Sequence, residues 1–137
     1  MSPERKAVRR VSAAGLTEPS GATWSNCLLV GREVVMSGVT SRGASASTVA
    51  QQARVIFSRI ESMLTAAGGG SRNIYKLLIY VTEMAFREDV NTARAAAFRP
   101  YYPASTFVAV TGFTFPDLLI EIDAFANLDV DLQAAAR

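Results

Sequence analysis

From Thr48 onward the apolar residues recur at steps of three and four: Val49, Ala53, Ile56, Ile60, Met63 or Leu64, and Ala67. That spacing places them on one stripe of a helix, and Thr48 with Gln51 offers the hydroxyl and amide of a capping box at its start. Gly68 to Gly70 end it, because glycine accepts the left-handed conformation that a helix C-cap requires. Phosphate-binding glycine loops lead into a helix and carry a lysine, whereas this triplet leaves a helix and leads to a strand. Elsewhere the period is two. "NIYKLLIYVTE" alternates and is rich in β-formers, which predicts a strand over Ile74 to Thr82. Two apolar runs about Gly31 and Arg32 predict a hairpin, Cys27 to Val30 and Glu33 to Val39. A second helix is expected from about Arg87 to Phe98, closed by Pro100, and two more strands at Ala104 to Thr111 and Leu118 to Ala126, joined by "GFTFPD". Lys6 to Ala13 reads as an edge strand, with residues 1–10 a flexible or edge segment of a single domain spanning residues 1–137.

The order strand, hairpin, helix, strand, helix, strand, strand predicts an α+β fold, a mixed sheet with two helices packed on one face. In the last strand Leu118, Ile120, Ile122 and Ala124 point one way, toward the helices. Leu119, Glu121, Asp123 and Phe125 point the other way. This second set is too apolar for open solvent and too charged for a dry core, which suits a subunit interface with a wet cleft at its edge.

The composition narrows the chemistry. Half of the 137 residues are hydrophobic, enough for one core. The net charge of +2 comes largely from Arg5, Lys6, Arg9 and Arg10 near the start, which is a weak footprint for nucleic acid. One cysteine, Cys27, excludes an internal disulfide framework, and without a basic neighbour it reads as a buried, inert thiol. No apolar run has the length to span a bilayer and no leader pattern is evident, so a cytoplasmic protein is expected. The chain has no histidine, which removes the commonest general base, the triads that use one and most zinc sites. Neither a metal nor a cofactor is called for. Catalysis must rest on carboxylates, hydroxyls, arginines, backbone groups and water.

"YPASTFVAV" followed by "LLIEIDAFA" resembles the paired C-terminal signature of the YjgF/RidA family, the reactive intermediate deaminases. In that signature a Pro-Ala-Arg-Ser-like strand start precedes an Ile-Glu-Ile-Glu-Ala strand. "VVMSGVTS" is similar to the family's Thr-Ser-Gly-Gln segment, and Val90 with Asn91 to its second-helix start. The resemblance covers about residues 20–128. It implies a chorismate-mutase-like fold, a homotrimer, and clefts between neighbouring subunits in which enamines and imines are hydrolysed to a keto acid and ammonia. It also implies an arginine that holds the substrate carboxylate and a glutamate that positions the water.

Carried over residue by residue, the glutamate is Glu121, the early serine is Ser37 beside Gly38, the helix asparagine is Asn91, and Trp24 stands where a cleft tyrosine is common. The arginine has no counterpart. Its position is Ser105, followed by Thr106. A guanidinium gives a carboxylate two parallel charge-assisted bonds and serine gives one neutral bond; at roughly 1.5–3 kcal/mol per charged bond, about one to two powers of ten in affinity are at stake. Either Arg42, Arg94 or Arg99 replaces it, or the substrate has no simple carboxylate. The short helix exit "AAFRPYYPAS" is expected to bring Arg99 and Tyr102 toward the cleft, where Tyr102 and Phe107 flank Ser105 in an apolar lining.

Glu121 carries the chemistry in this reading, as a base or water-holder whose pKa partial burial moves toward neutrality, with Asp123 raising it further or facing solvent. Its structural alternative is pairing with an arginine across an interface. Three functions follow: an enamine or imine hydrolase or tautomerase acting on something other than simple carboxylate-bearing imines, a non-catalytic protein binding a small metabolite in the same clefts, and a nuclease. The last needs a general acid and base near a basic groove, which the sequence does not offer.

Overall fold

Thr48 caps the longer helix as its sequence predicts. Its hydroxyl accepts from the Gln51 N–H and the Gln51 side chain accepts from the Thr48 N–H, both at 3.2 Å. Helix α1 then runs Val49–Ala67 and ends at Gly68, whose φ of 100° only glycine adopts without strain. Its stripe buries Ala53, Ile56, Ile60 and Leu64, together with one polar residue, Gln52. The second helix, α2 (Arg87–Phe98), is shorter and buries Val90, Ala93 and Phe98. The two helices meet through Phe57 and Phe98, edge to face with centroids 5.6 Å apart.

The structure, a computed structural model, describes residues 4–135. Both helices lie against one face of a six-stranded sheet whose order is β1 (Val8–Arg10), β2 (Cys27–Val30), β3 (Glu33–Met36), β6 (Ile120–Asn127), β4 (Ile74–Val81), β5 (Ala104–Ala109). β4 and β5 are parallel, joined by the α2 crossover, and every other pair is antiparallel. The mixed α+β sheet with two helices is the expected architecture. The last two strands, consecutive in sequence, are not neighbours, because β4 lies between them.

The buried face collects Val34, Met36, Leu77, Ile79, Val81, Ile120, Ile122 and Ala124. A register shift between Ile74 and Lys76 lets Ile74 and Leu77, three residues apart, both face the core. The opposite face carries Glu121, Asp123, Val35 and Phe125, the last two 45% and 37% exposed. No element among the described residues packs over it. Cys27 is fully buried, and burial pushes its thiol up to about 11, so it is inert at neutral pH.

The predicted second hairpin strand is interrupted. β3 ends at Met36, and Val39 rejoins β6 as an isolated bridge to Ile122, with reciprocal N–H···O bonds of 2.9 and 3.0 Å. Val35 pairs with Phe125 and Val39 with Ile122, so four steps on one strand match three on the other. The surplus residue makes a bulge at Ser37 and Gly38.

Candidate functional site

The bulge sets Gly38 against the side chain of Glu121. A Cβ at position 38 would lie 2.8 Å from the Glu121 carboxyl carbon and 3.0 Å from its Oε2, so the Glu121 side chain would have to shift to admit it. Glycine here leaves the carboxyl its present seat against the backbone. Ser37 is fixed by its neighbours, its N–H donating to the Asn26 carbonyl at 3.0 Å and its hydroxyl to the Ser25 carbonyl at 2.7 Å.

Around this pair opens a cleft of about 510 Å³, walled by Trp24 and Asn26 from the segment before β2 and by Arg42, Arg59, Phe113 and Phe115 from later segments. Asn26 holds the first wall. Its side chain accepts from the Trp24 indole at 3.2 Å and donates to the Leu16 carbonyl at 3.3 Å, and its N–H donates to the Glu18 carboxylate at 3.0 Å. Gln52 holds the second: from its buried place on α1 it donates to the carbonyls of Ala46 (3.3 Å) and Asp117 (2.9 Å) and accepts from the Leu119 N–H (2.9 Å). Arg59 donates from Nη1 to the Thr40 carbonyl at 2.7 Å. Arg42 lies over the Phe115 ring, 4.1 Å from its centre.

Glu121 is half-buried, and no donor among the described residues bonds its carboxylate. Burial raises its pKa first, and the nearby Asp123 carboxylate raises it further. Asp123 itself accepts a 2.8 Å bond from the Tyr80 hydroxyl, which pushes the phenol pKa up. A carboxyl with a raised pKa, an open side and a roomy cleft suits proton transfer to or from a bound molecule.

The remaining sequence-derived residues lie elsewhere on the chain. Arg94, on α2, donates from Nη1 to the Ser105 hydroxyl at 2.8 Å and from Nη2 to the Asn91 side-chain carbonyl at 3.0 Å. A second, shallower hollow of about 430 Å³ adjoins Arg94 and Asn91. Ser105 and Phe107 pair with the buried residues Leu77 and Ile79 and so face the helix side, whereas Thr106 pairs with Leu78 and faces the open side. Arg99 and Tyr102, both exposed on the α2–β5 connection, line neither hollow. Within one chain, Trp24, Ser37, Gly38 and Glu121 gather in one place and Asn91, Arg94 and Ser105 in another.

Arg59, Asn26 and Gln52 are the site residues that sequence reading passed over. Arg59 and Gln52 had a signal: with Ile56 and Met63 they fall on one row of α1 at steps of three and four, polar residues set among apolar ones. Asn26, in an irregular segment, had none.

Comparison with known proteins gives a consistent picture. The family described as Endoribonuclease L-PSP matches residues 16–128. The crystal structure of a protein of unknown function from Pseudomonas aeruginosa is 46% identical over 93% of this chain and 96% of that one, with a TM-score of 0.87. A member of the YjgF/YER057c/UK114 family from Mycobacterium tuberculosis is 31% identical over 88% of this chain and 99% of that one, with a TM-score of 0.78. RidA from an Antarctic Psychrobacter shares the fold, with a TM-score of 0.78 at 22% identity over 87% of this chain and 98% of that one. No curated protein matches the chain.

Proposed function

Because the chain belongs to the Endoribonuclease L-PSP family, the YjgF/RidA group, we propose that it performs cofactor-free C–N chemistry, hydrolysing or tautomerising an enamine or imine in clefts completed between the protomers of a homotrimer. The observation that carries this reading is the Glu121 carboxyl: half-buried, raised in pKa, free of any donor and pressed against the Gly38 backbone at the floor of a cleft. The ionised carboxylate so placed accepts a proton from water as the oxygen adds to the imine carbon and returns it to nitrogen. It then passes the hydroxyl proton of the carbinolamine to that nitrogen as the C–N bond breaks, and a carbonyl compound and ammonia leave. With an enamine, the protonated carboxyl first delivers a proton to carbon and the nitrogen gives one up, which forms the imine.

The second cluster supports the oligomeric part of the reading. The position that the resemblance leaves neutral, Ser105, holds a guanidinium after all, brought by Arg94 from α2 and steadied by Asn91. On its own chain this cluster faces no acid of the cleft, so its use requires the partner's Glu121 side. The uncovered sheet face, with Val35 and Phe125 exposed, is the surface on which protomers would associate.

The test is ammonia release from imines generated in situ, from 2-aminoacrylate and 2-iminobutyrate to larger aryl-bearing ones. Glu121→Gln is expected to lower turnover by about 10²–10⁴ while ligand affinity is kept. If no imine decays faster with the protein than without it, catalysis is discarded. The second reading, a non-catalytic metabolite binder, is favoured by the same cleft and would show ligand binding untouched by Glu121→Gln. The ribonuclease activity in the family's name would call for an acid and a base lining a basic groove, and among the described residues Glu121 is the one carboxyl that lines the cleft.

A further inference from the structure

Two guanidiniums face the Glu121 cleft without a carboxylate to neutralise them. Among the described residues the one ion pair joins Arg32 to Asp129. Arg59, half-buried, spends one bond on the Thr40 carbonyl and keeps the rest of its donor fork. Burial lowers its pKa, the sign of a charge held partly out of water. Arg42 is steadied by the Phe115 ring, which orients a cation without cancelling it. Glu121 does not serve as the counter-ion: among the described residues it makes no ion pair with either arginine. Both arginines meet Thr40, whose carbonyl accepts from the Arg59 guanidinium and whose hydroxyl accepts from the Arg42 N–H, and the apolar sides of Trp24, Met63 and Phe113 also line the cleft.

We propose that the Arg59–Arg42 end of this cleft binds the anionic group of a small organic acid with a flat apolar body, leaving the reacting end of the molecule to Glu121. An anion there satisfies two cations that the chain leaves uncompensated, and a ring fits between aromatic walls. This names the ligand class of the cleft and rests on the proposed function only for the part played by Glu121. The anion then sits apart from the reacting carbon rather than next to it.

Trp24, the sole tryptophan, lines the cleft and reports on it directly. The experiment titrates the full chain with phenylacetate and with its neutral counterpart phenylacetamide, following indole fluorescence. Phenylacetate is expected to bind about tenfold or more tightly than the amide, and Arg59→Gln and Arg42→Gln each to weaken phenylacetate by about tenfold without changing the amide. Arg54→Gln, on the exposed side of α1, is expected to bind as the native chain does. Equal affinity for acid and amide overturns the inference, as does unchanged phenylacetate binding in both folded variants. Should Arg59→Gln fail to fold, Arg42→Gln, in an exposed loop, carries the test alone. Lost anion preference with imine turnover intact overturns this inference only, whereas anion preference without turnover overturns the catalytic reading and leaves this site standing.

Discussion

The bulge cleft and the α2–β5 cluster use the same materials to different ends. Each presents a guanidinium fixed by neutral oxygen acceptors, Arg59 on Thr40 and Arg94 on Ser105 and Asn91. In the cleft the guanidinium shares a walled space with a half-buried acid; at the cluster it lines a shallow hollow on α2 and reaches Ser105 of the edge strand β5. In the proposed reading the difference separates the region that would hold the reacting atoms, since a cavity with fixed walls orients its contents, from an edge cluster that would act only when set against another protomer.

The sharpest way to break this comparison is to mix protomers. Glu121→Gln and Arg94→Gln chains, each expected to be feeble alone, should recover activity when unfolded and refolded together, since random assembly into rings leaves about a quarter of the sites with both native residues. If the mixture is no more active than its parts, the two clusters do not cooperate across an interface. Gly38→Ala comes next. Its Cβ would drive the Glu121 carboxylate from its seat, and turnover is expected to fall by about tenfold or more with Arg94-dependent effects unaltered; retained turnover would show that the carboxylate's position does not matter.

A smaller effect separates the acid from its surroundings. Turnover that needs ionised Glu121 should rise with pH through a midpoint above the ordinary value of 4.5, and Asp123→Asn should move that midpoint down by removing a like charge. An unmoved midpoint assigns the titration to another group. The smallest effect is on stability. The folded chain holds the Glu121 proton more tightly than the unfolded chain, so stability falls as pH rises from 4.5 through the raised pKa. Glu121→Gln should accordingly melt higher than the native protein at neutral pH, with the gap closing below about pH 4.5.

Much of the frame was legible because its signals are local. The Thr48–Gln51 capping box, the glycine stop at Gly68 and the two-residue alternation around Glu121 are each decided within a few residues of themselves. The position of β4 between β5 and β6 is decided by a crossover and a return passage, which leave no periodic mark. The same distinction runs through the site. Ser37, Gly38 and Glu121 sit in recognisable segments, but the contact that a side chain at position 38 would make with Glu121 appears only when the bulge brings the two together. Arg42, Arg94 and Arg99 are all candidates for the missing charge by sequence, and nothing in the sequence favours Arg94 over Arg99. A helix register and a strand pairing put its fork on Ser105.

β6 joins β3 on one side and β4 on the other, so until the last strand has been synthesised the two halves of the sheet have no common member. A nascent chain, or one truncated before Ile120, would hold an N-terminal three-stranded piece and a parallel pair with nothing between them. The acid travels on that closing strand, so a chain truncated before Ile120 lacks Glu121 together with the strand that joins the two halves of the sheet.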